Sequence, residues 1–199
     1  MFVFHGPETA SHLVVLAPGD ECRLTDTTPT LLAIALGDAG IRVVRFAFPP
    51  CDDADGGVRD AVLAAHIRQA AATRADGVHL ILGGLSRGAR VSVSLLTELG
   101  AVGLLGFAYP FHGRHDPDPG DRVTDLAGVP VPCLICQGTR DTRGNRQQVH
   151  GYGLPEHVRL HWLEDATHAL RPRPRSGVSQ AEQLAEAAAV SARFVQSLG

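Results

Sequence analysis

Lysine is missing altogether: all 18 basic side chains in the 199 residues are arginine. Without a lysine amine no Schiff base can form, which excludes pyridoxal phosphate chemistry and the other imine mechanisms. No apolar run approaches the length of a membrane span, and a net charge of −3 gives no electrostatic attraction to nucleic acid or anionic lipid. The opening "MFVFHGPETA" lacks a basic stretch followed by a sustained apolar one, so a secretory signal is not expected and the cytoplasm is the default location. Cysteine is scarce, at four residues, which agrees with a reducing compartment. Cys133 and Cys136 spell C-x-x-C in "PCLICQG", but they lie in a strand-like apolar run, where positions three apart face opposite sides. They are expected in the core, not as a redox or zinc pair. Cys22 and Cys51 belong to no motif.

What is present is an alternation. "HLVVLAP", "IRVVRFAF", "VHLILGGL", "GLLGFAYP", "VPCLICQG" and "VRLHWLE" are short, nearly continuous apolar runs, the pattern of parallel strands buried on both faces. "MFVF" is a candidate edge strand. Between them lie helical patterns: one opening with Thr28 as N-cap and Pro29 at the first helical position and ending at Gly40, one over about residues 59–74, and one after Ser86 carrying Val91, Leu95 and Leu99 to Gly100. The last opens on a Ser179/Glu182 capping box and turns Leu184, Ala188, Val195 and Leu198 inward. Alternating strands and helices imply right-handed crossovers and a mostly parallel, twisted sheet of six to seven strands with helices on both faces. With no internal repeat or low-complexity linker, residues 1–199 read as one α/β domain. In such a sheet ligands bind outside the carboxyl ends of the strands.

Gly84-Leu85-Ser86-Arg87-Gly88 is G-x-S-x-G between a strand and a helix, the setting of a nucleophile elbow. The turn strains the serine backbone and tolerates only small neighbours, which accounts for Gly84 and Gly88. It lifts the hydroxyl above the sheet at the positive end of a helix. A serine hydroxyl needs a base, and the base an orienting carboxylate. Asp141, after "PCLICQG", and His168, after "VRLHWLE", stand at carboxyl ends of strands in the order Ser, acid, His. Asp165 is the competing acid; its place in the histidine's own loop reads better as a turn residue.

The oxyanion needs two donors. The N–H of Arg87, directly after the nucleophile, is one candidate. The other comes from the loop opening Pro18-Gly19-Asp20, where Gly19 allows close backbone approach and either Asp20 or Glu21 supplies the N–H. "FHGRHDPD", with His112, His115, Asp116 and Asp118, lacks the helical spacing of a metal motif and reads as a polar loop. "CDDADGG" fails as a calcium loop, since Gly56 at its sixth position would put Cys51 first and Val62 twelfth. No metal and no cofactor are expected.

Together, "GGLSRGARVS", "GFAYPFHGR", "CQGTRD" and "HWLEDATHALRPRPRSG" resemble a small α/β-hydrolase-like family that includes testis-expressed and histone-acetyltransferase-complex subunit proteins and is itself similar to dienelactone hydrolases. The resemblance implies an α/β-hydrolase fold with little or no lid, and maps nucleophile, acid and base onto Ser86, Asp141 and His168. Two departures are visible: Pro18-Gly19 stands where that family has His-Gly, and "EDATH" replaces a more glycine-rich turn. After the histidine, Arg171, Arg173 and Arg175 alternate with proline in a stiff segment that reads either as a solvated linker to the last helix or as a site for a carboxylate or phosphate at the pocket rim. His112 is a further rim candidate. The expectation is a serine hydrolase of small esters or thioesters, anionic ones included, working through an acyl-enzyme. The competing reading is a binding or scaffold protein that keeps the fold without efficient chemistry.

Overall fold

The computed structural model describes residues 1–51, 55–113 and 118–199. Seven strands form one sheet: β1 (Val3–His5), β2 (His12–Ala17), β3 (Arg42–Arg45), β4 (His79–Leu85), β5 (Gly103–Phe107), β6 (Cys133–Gly138) and β7 (Val158–Leu163). Their spatial order is β1-β3-β2-β4-β5-β6-β7; β1 runs antiparallel at one edge and every other pairing is parallel. All the parallel strands therefore end on the same edge. The helices are α1 (Thr27–Asp38), α2 (Gly56–Ala71), α3 (Arg87–Val93), α4 (Asp121–Ala127), α5 (Arg146–His150) and α6 (Gln180–Gln196).

Alternation along the strands splits the core in two. Leu13, Val15, Leu80 and Leu82 pack against Leu63 and Ile67 of α2, Val91 of α3 and Leu126 of α4. Val14, Leu16, Ile81 and Leu105 pack on the other face against Leu32 and Leu36 of α1 and Leu184, Ala188 and Val195 of α6. Cys133 belongs to the first layer and Cys136 to the second, so the C-x-x-C pair points to opposite sides of β6 and both thiols are free. Burial of this kind contributes roughly 1.5–3 kcal/mol per large side chain.

Several boundaries differ from the sequence expectation, each for a local reason. α1 begins two residues early, with Asp26 as N-cap, so Pro29 is the third helical residue. It is tolerated there because first-turn N–H groups have no intrahelical acceptor anyway. Asp55 caps α2, its side chain accepting from the Val58 N–H at 2.9 Å, so that helix starts at Gly56. α3 stops at Val93, and Leu95 and Leu96 reach the core from successive turns. α4 and α5 have seven and five residues, too few for a 3.6-residue period to register. The Ser179/Glu182 capping box forms as expected. Among the described residues no helix is long and apolar enough to cross a membrane.

Candidate active site

Ser86 occupies the sharp turn between β4 and α3, with φ 48° and ψ −115°. This conformation is disfavoured for a residue with a Cβ and costs about 1–3 kcal/mol. It is held by the Ser86 N–H, which donates to Phe107 O at 2.9 Å, and by close backbone packing. A Cβ at Gly84 or Gly88 would run into the carbonyl of Ala17, and Gly84 has φ +154°. Strain also gathers around the serine. The described non-glycine residues with positive φ are Glu21, Ser86, Ala108, Asp165 and Leu170, all in loops that follow β2, β4, β5 or β7.

The structure brings three side chains from three strand ends into one row. Ser86 Oγ lies 2.9 Å from His168 Nε2, and His168 Nδ1 lies 2.9 and 2.8 Å from the two oxygens of Asp141. Because a carboxylate only accepts, Nδ1 carries the proton and Nε2 is left to accept from the serine hydroxyl. Asp141 is 0% exposed. Two more donors satisfy it: the Arg143 N–H at 2.8 Å and Gln137 Nε2 at 3.0 Å. Gln137 was not singled out from sequence. Its signal is slight, a polar residue at the end of an otherwise apolar β6, yet its side-chain nitrogen also lies 3.1 Å from both Tyr109 O and Gly144 O. Three acceptors on one side fix the amide with its NH2 toward Asp141. Asp165 points elsewhere. Its carboxylate is bonded by Arg173, through Nε at 2.8 Å and the main-chain N–H at 3.2 Å, and Arg173's hydrogen bond holds its pKa below the usual carboxylate range.

The loop after β2 faces the nucleophile. A Cβ at Gly19 would lie 3.6 Å from Ser86 Cβ. The N–H of Arg87, first in α3, and those of Asp20 and Glu21 in the loop after β2 have no acceptor among the described residues. The Asp20 carboxylate ties this loop to the elbow, accepting from Arg87 Nε at 2.7 Å and Arg59 at 3.1 Å. Asp60 of α2 continues the chain of charges, accepting from Arg87 and Arg90, each at 2.5 Å.

A cavity of about 490 Å³ opens beside this row, lined by Gly19, Asp20, Ser86, Arg143, His168 and Arg171 among others. No inserted helical unit stands over it among the described residues. Cys22 also borders it, but burial first, and Asp26 second, push its thiol up to about 12, so it stays protonated and offers no rival nucleophile at neutral pH. A cleft of about 600 Å³ between α2, α3 and α4 contains neither the serine nor the histidine.

Two expected rim residues are not at the rim. His112 is 3% exposed, its Nδ1 bonded to Gly113 O at 2.7 Å, because the chain after β5 folds inward past Tyr109 and Phe111. Arg173 is spent on Asp165, and Pro174–Ser176 forms a short 3-10 turn, so the arginine–proline run is not one extended segment projecting three free cations. Arg171 does border the cavity; so does Arg143, which sequence reading passed over. Among the described residues no three His, Cys, Asp or Glu side chains are grouped to hold a metal. His115 and Asp116, and the Asp52–Ala54 part of the acidic loop, lie outside those residues.

A hydroxyl, imidazole and buried carboxylate in series, above a parallel sheet and near loops with unengaged N–H groups, are the parts needed for acyl transfer. Comparison with known proteins gives the family and the fold. Residues 10–196 match the alpha/beta hydrolase domain family, and the chain belongs to it. An alpha-beta serine hydrolase homologue from Coxiella burnetii superposes with a TM-score of 0.72 at 21% identity, over 98% of this chain and 90% of that one. An α/β serine hydrolase without a lid from Xanthomonas campestris gives 0.70 at 22%, over 98% and 88%. Est1E from Butyrivibrio proteoclasticus, solved with ferulic acid, gives 0.70 at 12%, over 99% and 95%. At these identities the likeness is one of fold. No curated protein matches the chain.

Proposed function

We propose that this protein is a serine hydrolase of small esters or thioesters, with Ser86 as nucleophile, His168 as general base and acid, and Asp141 as the orienting carboxylate. The observation that carries the reading is the row from Ser86 Oγ to His168 Nε2 at 2.9 Å and from His168 Nδ1 to Asp141 at 2.8 Å. In the first half-reaction Ser86 Oγ attacks the carbonyl carbon while Nε2 takes its proton. Negative charge on the carbonyl oxygen is met by the N–H groups of Arg87 and Asp20, a kind of stabilisation worth about 3–4 kcal/mol per donor. The intermediate collapses, and the alcohol or thiol leaves with the proton from Nε2. Water then attacks the acyl-serine with His168 again as base, releasing the acid and restoring Ser86.

An open cavity of about 490 Å³ favours small acyl groups over long chains that need a cover. The ligand class is a small molecule, anionic ones included, rather than nucleic acid or membrane. Four free thiols favour a reducing compartment such as the cytoplasm. Within the family, the segments around Ser86, Asp141 and His168 favour the branch of testis-expressed and acetyltransferase-complex-subunit-like proteins. The test is labelling with a fluorophosphonate probe, alongside p-nitrophenyl ester turnover. Label on the parent and none on Ser86→Ala is expected; folded parent that takes no label and hydrolyses no ester would overturn the reading.

A further inference from the structure

Charge around the cavity is unevenly compensated. Of its carboxylates, Asp20 accepts from Arg87 and Arg59, and Asp26 accepts the Arg23 N–H at 2.9 Å. Of its arginines, Arg171 is exposed and donates one long bond to Gln180 at 3.4 Å. Arg143 differs. Its main chain is pinned, the N–H on Asp141 at 2.8 Å and the C=O accepting from the His112 N–H at 3.3 Å. Its side chain, half-buried at the wall shared with His168, has no hydrogen-bond or ion-pair partner among the described residues. Arg122 stands near it, donating to Pro110 O at 3.1 Å, likewise without a carboxylate among the described residues. Burial first, then the guanidiniums of Arg90, Arg143 and Arg87, lower the Arg122 pKa. A protein with net charge −3 thus keeps uncompensated positive charge beside its nucleophile.

A half-buried guanidinium with no protein partner is poised for a ligand anion, and its planar fork matches a carboxylate in two-pronged fashion. We propose that Arg143 is a specificity-determining residue that selects esters carrying a carboxylate. This rests on the hydrolase reading above, and it transfers to Arg143 the role that the sequence suggested for the arginines after His168.

The test compares kcat/KM on two matched ester pairs. The p-nitrophenyl esters of succinate (as the free-acid monoester) and 4-methylpentanoate place the charge in the acyl part; 4-acetoxybenzoate and 4-acetoxytoluene place it in the alcohol part. The parent should prefer the charged member of one pair by about tenfold or more, the size of a charge-assisted hydrogen bond. Arg143→Gln should bring that ratio close to one, and Arg143→Lys, which keeps the charge but not the fork, to an intermediate value. Arg175→Gln, outside the cavity, should leave it within twofold. A parent without preference on either pair, or a ratio unchanged in Arg143→Gln, overturns the inference while Ser86 labelling leaves the hydrolase reading standing. A folded parent that is neither labelled nor active on any of the four overturns both.

Discussion

Replacing Gln137 by leucine removes the one side chain that braces the acid from beneath without touching the cavity. Gln137 is fully buried, and its Nε2 serves Asp141 Oδ2 at 3.0 Å and the carbonyls of Tyr109 and Gly144 at 3.1 Å. Tyr109 O keeps the Phe111 N–H as a donor, and Asp141 keeps His168 and the Arg143 N–H. The bond to a charged group is worth about 1.5–3 kcal/mol and a neutral one about 0.5–1.5. Against that, the change deletes Gln137 Oε1, a buried oxygen with no donor among the described residues. The balance is a destabilisation of about 1–3 kcal/mol, which for a chain of this size lowers Tm by roughly 3–10 °C. With one of its anchors gone, Asp141 holds the imidazole less firmly, and kcat should fall about tenfold, equivalent to about 1.4 kcal/mol of transition-state stabilisation. KM should stay within threefold, because Gln137 does not line the cavity. The assay is steady-state hydrolysis of a p-nitrophenyl ester at a temperature where both proteins are folded, with Tm from thermal melts. An unchanged kcat, or a rise in KM alone, would refute the positioning argument.

Ser86→Ala and His168→Ala should each remove nearly all esterase activity, and the double variant should lose little more, since the two act as a unit; activity within tenfold of the parent in either would dismiss the assignment. Ser86→Gly should be inactive yet more stable by about 1–2 kcal/mol, because glycine carries no penalty at φ 48°, and a thermal melt no higher than the parent's would count against stored strain at the elbow. Asp141→Asn should lower kcat by orders of magnitude while Asp165→Asn does far less; the reverse ranking would reassign the acid. The same Asp165 variant carries a pH signature. With its folded pKa depressed by Arg173, Asp165 adds stability above the unfolded pKa of about 3.9, and that is lost as pH falls through the folded value. The parent's Tm should therefore drop more steeply than that of Asp165→Asn in acid, and parallel curves would argue against the pair. Incubation with a chelator should leave ester turnover unchanged, and a loss restored by added metal would point to a metal requirement.

Much of this molecule is written locally. Strands buried on both faces must be largely apolar, so the five inner strands β2 to β6 stand out as runs without any knowledge of their neighbours, and the edge strand β7, only partly buried, is marked by its apolar residues alone. The elbow is legible for the same reason: the close approach of Ala17 excludes a side chain at Gly84 and Gly88, and the pentapeptide keeps that steric imprint. The Ser179/Glu182 box is likewise a contact between near neighbours in the chain. Asp141 and His168 could be picked out because strand ends collect on one edge, although the serine and histidine lie 82 residues apart.

What only the tertiary structure decided are pairings that leave no periodic or steric trace in the chain. Gln137 looks like the polar tail of an apolar strand until three acceptors from two loops, the one after β5 and the one after β6, converge on its amide. Arg173 reads as a free cation until the turn after β7 closes Asp165 against it, and Arg143 reads as one arginine of 18 until its side chain is left in the cavity with no partner among the described residues. A burial pattern depends on which face a residue occupies, and the sequence repeats that information every two or 3.6 residues. Whether a charge is paired depends on one distance between two side chains, and that is set only when the loops carrying them are brought together.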